Sequence, residues 1–414
     1  MSRTMTLCNL ALICLAGSAL AKPEERNPLA DKSVPELASI LSQSKDEALR
    51  LNASKALRAK MPQKSVRLRR GQKTPAYPKA DADLVKALLR GLHDTSSGVR
   101  YECRKGLGCG GETALSGLLA EMASKEADAR SYAADALGDM GTYPDAAGLP
   151  LDKALPALQK ALSDKDYRVR VSAAMALSKI GARSAPALPQ LIRLLDDEKW
   201  AVADAAVRAV GQADPSGVKS VPALVRVLDN KKHDLREFAC NELKAMGAKA
   251  KAAIPALIKL LDADRESWYA GKGAADALMA MVSYDKRKIK DDPAADVRAG
   301  VISAIAQSVN NQAAPFVKLD RLQALFIPGN VACPMGEEVL PALPHALELL
   351  EKWMKKPPWG DPRGKLAAFL ARVGGHAPEQ VVPVVTRLLD DPEIKKDEKG
   401  TKLLQDLLKK LEAK

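Results

Sequence analysis

Residues 154–185 read ALPALQKALSDKDYRVRVSAAMALSKIGARSA, 186–214 PALPQLIRLLDDEKWAVADAAVRAVGQAD, 220–247 SVPALVRVLDNKKHDLREFACNELKAMG and 253–262 AIPALIKLLD. Pro156, Pro189, Pro222 and Pro255 fall 33 residues apart each time. Leu158, Leu191, Leu224 and Leu257 keep step with them, and so do Leu162, Leu195, Leu228 and Leu261. Val169, Val202 and Leu235 follow in phase, then Ala173, Ala206 and Ala239. A fixed period of this length marks a chain of stacked supersecondary units, and it overrides any reading of isolated segments.

The unit can be derived from its residues. Proline is tolerated in the first turn of a helix, where its missing N–H would lack an intrahelical partner anyway. The apolar residues after it recur at three and four, which makes one buried stripe. Acidic and basic residues such as DDEK or SDKD end that helix, and a second is predicted to begin near Val169. Ala173, Ala176, Leu177 and Ile180 give it a narrow face that allows close helix approach, and Gly181 and Gly247 are placed to cap its C-terminus. Such a pair cannot bury its apolar face alone, whereas stacked copies can. The predicted fold is an all-α solenoid of antiparallel helix pairs, about nine units long, with an extended concave surface lined by second helices.

The pattern LPAL…LLDD…VR..AA.AL..IG resembles the HEAT repeat, and in its short form the HEAT-like repeat also found in phycobilisome lyases. The resemblance implies a binding scaffold, because one such fold serves many unrelated partners. The arginines Arg50, Arg100, Arg130, Arg170, Arg236 and Arg298 share one register. In HEAT-like repeats that arginine resembles a structural ladder bonded to turn aspartates, as suits a guanidinium fork. Ala203 interrupts it.

Around the repeat the chain divides as follows. Residues 1–21, MSRTMTLCNLALICLAGSALA, read as a secretory signal cleaved near Ala21, with Arg3 leading an apolar run too short to cross a bilayer. Residues 22–33 read as a flexible lead-in and 34–282 as HEAT-like units interrupted by a basic loop at about 58–79. Residues 283–338 read as an irregular, partly helical insertion, and 339–414 as C-terminal units ending in a capping helix.

The formal charge of the 414-residue chain is +13, which favours acidic partners in general. Export disfavours nucleic acid among them. Within the basic loop, Arg67, Arg69 and Arg70 belong to a run, from Arg58 to Lys73, that meets no acid in sequence. It is read either as solvated surface or as a salt-sensitive contact for an acidic partner. Aromatic residues make up only 4 % of the chain, yet Tyr167, Trp200 and His233 lie 33 apart just before the second helix, and Trp268 takes the same place in the next unit. That line is either a hydrophobic staple at each helix start or a stacking edge for a partner, since aromatic anchors dominate many binding hot spots.

No catalytic constellation converges. The four histidines fall in different units, and no His-Glu dipeptide matches the paired iron ligands of deoxyhypusine hydroxylase, a stacked HEAT-like enzyme. No Walker loop, GxSxG or zinc-protease helix motif is present. No metal or cofactor is therefore expected. Cys103, Cys109, Cys240 and Cys333 fit no metal spacing, Cys103 and Cys240 falling in the small-residue register, while a Cys103–Cys109 bridge stays open. The function expected is an exported, non-enzymatic scaffold binding another protein or an acidic, extended polymer through its concave face or edge. The alternatives are a lyase or cofactor-handling protein and a basic solenoid that binds nucleic acid.

Overall fold

The computed structural model describes residues 27–62, 80–142, 150–230, 235–262, 268–282, 295–310, 337–356 and 363–412. Among them every regular element is helical. None of these helices is long and apolar enough to cross a membrane. The chain divides into two units, Met1–Ala154 and Leu155–Lys414.

Among its described residues unit 1 holds three helix pairs: α1 (Val34–Gln43) with α2 (Glu47–Lys60), α3 (Ala82–Gly91) with α4 (Ser97–Leu107), and α5 (Gly111–Glu121) with α6 (Ala127–Gly141). The second helices α2, α4 and α6 pack in succession, and so do the first helices α1, α3 and α5. Residues 27–33, expected to be loose, are instead tied down. The Asn27 side-chain amide donates to the Asn52 carbonyl at 2.8 Å, and Leu29 is buried. One apolar side chain in a polar stretch is enough to dock it. Arg58 likewise departs from expectation: it lies within α2 and pairs with Glu102 of the adjoining α4 at 2.5 Å.

Unit 2 contains the regular copies. They are α7 (Leu155–Ala161) with α8 (Tyr167–Ile180), α9 (Leu188–Leu194) with α10 (Trp200–Ala213), α11 (Ser220–Asp229) with α12 (Arg236–Met246), and α13 (Ile254–Asp262) with α14 (Trp268–Val282). Then come α15 (Ala295–Asn310), α16 (Leu343–Lys355), α17 (Arg363–Val373), α18 (Pro378–Asp390), the short α19 (Pro392–Lys395) and α20 (Glu398–Glu412). The second helices α8, α10, α12 and α14 pack side by side. Every position of the repeating apolar registers, from Leu158 through Ala239, is at most 5 % exposed. Gly181 ends α8 at φ 71° and Gly247 ends α12 at φ 55°, the left-handed turns that favour glycine. In the last helix Leu404, Leu407 and Leu411 are buried and Leu403 and Leu408 half-buried, as the one-faced leucine pattern requires.

Cys103, Cys109 and Cys240 are free thiols, so the bridge left open above is absent. Cys103 packs on Gly91, where an added Cβ would come within 2.3 Å of its sulfur, and burial pushes its thiol pKa up. Cys240 is buried against Gly273 of α14. These cysteines fill the small-residue seam between helices.

Candidate functional site

The arginine register forms rungs between helix pairs. Arg170 donates from Nε and Nη2 to both Asp197 oxygens at 2.9 Å, and from Nη1 to the Asp164 carbonyl of its own turn at 3.0 Å. Arg50 does the same toward Asp94 at 2.8 and 3.1 Å, with Nη1 on the Ser44 carbonyl. Arg130 donates to the Ser124 and Lys125 carbonyls of its turn, and Arg100 to those of Asp94 and Thr95. Each of these guanidinium groups therefore closes the interhelical turn of its own pair; Arg50 and Arg170 also grip the next turn, and Arg100 pairs with Asp128 at the start of α6 at 3.1 Å. The copy with Ala203 at this position lacks the arginine. Counting 27 residues from Arg170 reaches Asp197; the same step from Ala203 reaches Asn230, so both ends are replaced together.

One rung also shapes the start of an aromatic-bearing helix. Asp197, held by Arg170, accepts the Lys199 backbone N–H at 2.9 Å and so shapes the turn that delivers Trp200. Asp166 caps α8 in the same way by accepting from the Arg168 N–H. Tyr167, Trp200 and Trp268 are the first residues of α8, α10 and α14, one step later than the position before the helix that sequence suggested. His233 and the loop arginines Arg67, Arg69 and Arg70 lie outside the described residues.

Tyr167 and Trp200 remain 43 % and 47 % exposed, and Met175 on the same helix as Tyr167 is 42 % exposed. A hydrophobic staple would turn the ring onto its own helix. Trp200 instead meets Phe238 of α12 edge-on, centroids 6.1 Å apart and planes at 71°. Arg208 lies over the Phe238 ring at 5.2 Å and is held by both oxygens of Asp204, one turn back on α10, at 3.1 and 3.2 Å. Behind this cluster Gln212 donates to Glu242 at 3.2 Å. Gly211 leaves room for the Glu242 carboxylate, which would stand 2.3 Å from a Cβ at that position. Burial raises the Glu242 pKa against the pull of Gln212 and Arg208.

Sequence reasoning missed Phe238, Arg208 and Asp204. Phe238 occupies the register of Ser172 and Ala205, so a bulky ring in a small-residue column was the available signal. Arg208 falls in the column of the exposed Met175, which places both on the outward side of their helices. The result is a partly exposed Trp–Phe–Arg cluster spanning two second helices, with Tyr167 and Met175 on the helix before it. Among the described residues, no three His, Cys, Asp or Glu side chains converge to hold a metal ion.

A family model described as HEAT repeats matches residues 115–211 and again 188–279. No curated protein matches the chain by sequence. Among solved structures, the chain is similar to Kap95p, whose binding is said to induce the switch loops of RanGDP to adopt the GTP-bound conformation. That match has 14 % identity and a TM-score of 0.57, covering 93 % of this chain and 53 % of the other. It is also similar to importin beta in a polyethylene glycol condition, with 12 % identity, TM-score 0.56, and 91 % and 54 % of the two chains covered. Yeast importin-beta gives 14 % identity, TM-score 0.53, and 88 % and 50 %. At these identities the likeness is one of fold, and this chain spans about half the length of each importin.

Proposed function

We propose that this chain, whose residues 115–211 and 188–279 are HEAT repeats, is a non-enzymatic scaffold that captures a partner protein on the second-helix face of α8, α10 and α12. The observation that carries this is the exposure of Tyr167 and Trp200 at successive helix starts, in a chain with 4 % aromatic residues. Large, rigid, half-exposed rings beside an ordered guanidinium are the residue types that concentrate binding energy. Their common positioning by interhelical turns gives a partner a fixed set of anchors, with little side-chain freedom to lose on binding. The net charge of +13 favours a partner with an acidic surface.

In this reading the scaffold works outside the cytoplasm, after cleavage near Ala21. N-terminal sequencing of the mature protein should begin at Lys22, and a retained Met1 would remove export from the proposal. For partner capture, a photo-cross-linking amino acid is placed at Trp200, at Tyr167 and, as a control, at Val218, which is 75 % exposed on a loop. Discrete adducts are expected from the first two positions, and they should vanish when Phe238→Ala and Arg208→Ala are added. Equal adducts from all three positions would refute the anchored face.

A further inference from the structure

The second helices at the end of unit 2, α17 and α20, pack side by side, and a groove of about 250 Å³ lies between them. Gly364, Ala368 and Ala371 of α17 recur at four and three, so one face of that helix offers nothing longer than a methyl group. Leu403 and Leu407 of α20 form an apolar wall, and Lys399, Lys402 and Lys410 stand exposed along it with Asp406 among them. The rim thus carries three cations against one carboxylate over the twelve residues from Lys399 to Lys410, about 17 Å of helix.

We propose that this groove seats an acidic amphipathic helix of a partner protein. Both walls are helices whose backbone groups are already hydrogen-bonded within themselves, so an extended peptide would find no ladder to join. A helix carries its own hydrogen bonds and needs only an apolar stripe for the alanine floor and carboxylates beside that stripe for the lysines. The volume accommodates a few aliphatic side chains, with the ligand's backbone resting above them. Among the described residues, no aromatic side chain lines the groove, so these walls offer none of the stacking platforms that a nucleic-acid strand uses. The groove shares no residue with the Tyr167–Trp200–Phe238 face and goes beyond the function proposed for that face.

The test uses the full chain and a fluorescein-labelled synthetic peptide of about eighteen residues, with Leu at helical spacing and Glu on both flanks, read by fluorescence anisotropy. Its counterpart with Lys in place of Glu and a single-stranded oligonucleotide are the comparison probes. The acidic peptide should bind, bind more weakly as salt rises, and lose about tenfold in affinity with Lys402→Glu plus Lys410→Glu and again with Ala368→Trp. Trp200→Ala should leave it unchanged, which separates this site from the other face. Circular dichroism checks the fold of each variant, and Ala368→Leu replaces the tryptophan variant if that one unfolds. Absence of binding, equal binding of the Lys peptide, displacement by the oligonucleotide or indifference to the groove variants would each overturn the proposal.

Discussion

Two neighbouring joints in unit 2 are built differently. Between α8 and α10 the Arg170–Asp197 fork ties one turn to the next, and both side chains are at most 12 % exposed. Between α10 and α12 the fork is gone, with Ala203 and Asn230 at its two ends, and the helices are bridged instead by Trp200 on Phe238 and Arg208 over the same ring. The first joint is polar, buried and repeated elsewhere in the chain; the second is aromatic, partly exposed and particular. The candidate site therefore arises where the repeat gives up its own architecture. A fork fixes geometry and leaves little for a partner to grasp, whereas rings joined edge to edge retain exposed apolar area.

The sharpest way to break that contrast is to cut the fork. Arg170→Ala leaves the Asp197 carboxylate mostly buried without its guanidinium and removes the donor from the Asp164 carbonyl. Breaking a buried pair on one side costs about 3–5 kcal/mol. Thermal unfolding by circular dichroism should show a large fall in Tm, partly restored by adding Asp197→Ala. A variant that melts like the parent would mean the rung is ornamental. The companion substitution Trp200→Ala should cost less, because the ring is already half-exposed, while removing the cross-linked adduct.

The converse experiment installs a rung where none exists. Ala203 is fully buried, so Ala203→Arg alone should destabilise by forcing a long cation into a packed seam. Adding Asn230→Asp supplies the missing acceptor, and hydrogen bonds to charged groups contribute about 1.5–3 kcal/mol. The double variant should recover about that much in denaturant unfolding relative to Ala203→Arg. If it is no more stable than the single variant, the geometry of this joint differs from the forked one by more than two residues.

The proline spacing and the apolar columns made the helix pairs legible, because they repeat a local rule: stripe, turn, small-residue face, glycine. Tyr167 and Trp200 were legible as members of a column. The contact of Trp200 with Phe238 was not, since it joins residues in successive pairs and depends on how α10 and α12 pack. Nor could a count of unmatched cations show that Arg58 has Glu102 beside it, because that partner comes from the next second helix. Periodicity reports which face a residue takes; the neighbour across a joint is set by packing.

Unit 1 offers a third kind of joint, and the smallest effect. His93, in the turn after α3, bridges Glu121 at the end of α5 and Glu126 at the cap of α6, each at 2.9 Å. Burial alone would lower its pKa, but hydrogen bonds and charge from Glu126 and Glu121 outweigh it and hold the imidazole above its ordinary 6.5. A raised pKa in the folded state means the imidazolium stabilises the fold fully below the unfolded value and ceases to do so as pH rises through the folded one. The acids must also be ionised, so the link is strongest between about pH 5 and 6.5. The Tm difference between the parent and His93→Gln should be largest in that window and shrink toward alkaline pH. Its size should stay under about 1 kcal/mol, because the imidazole and Glu126 are well exposed to solvent. A difference that instead grew with pH would show that the neutral ring, through packing, is what joins these pairs.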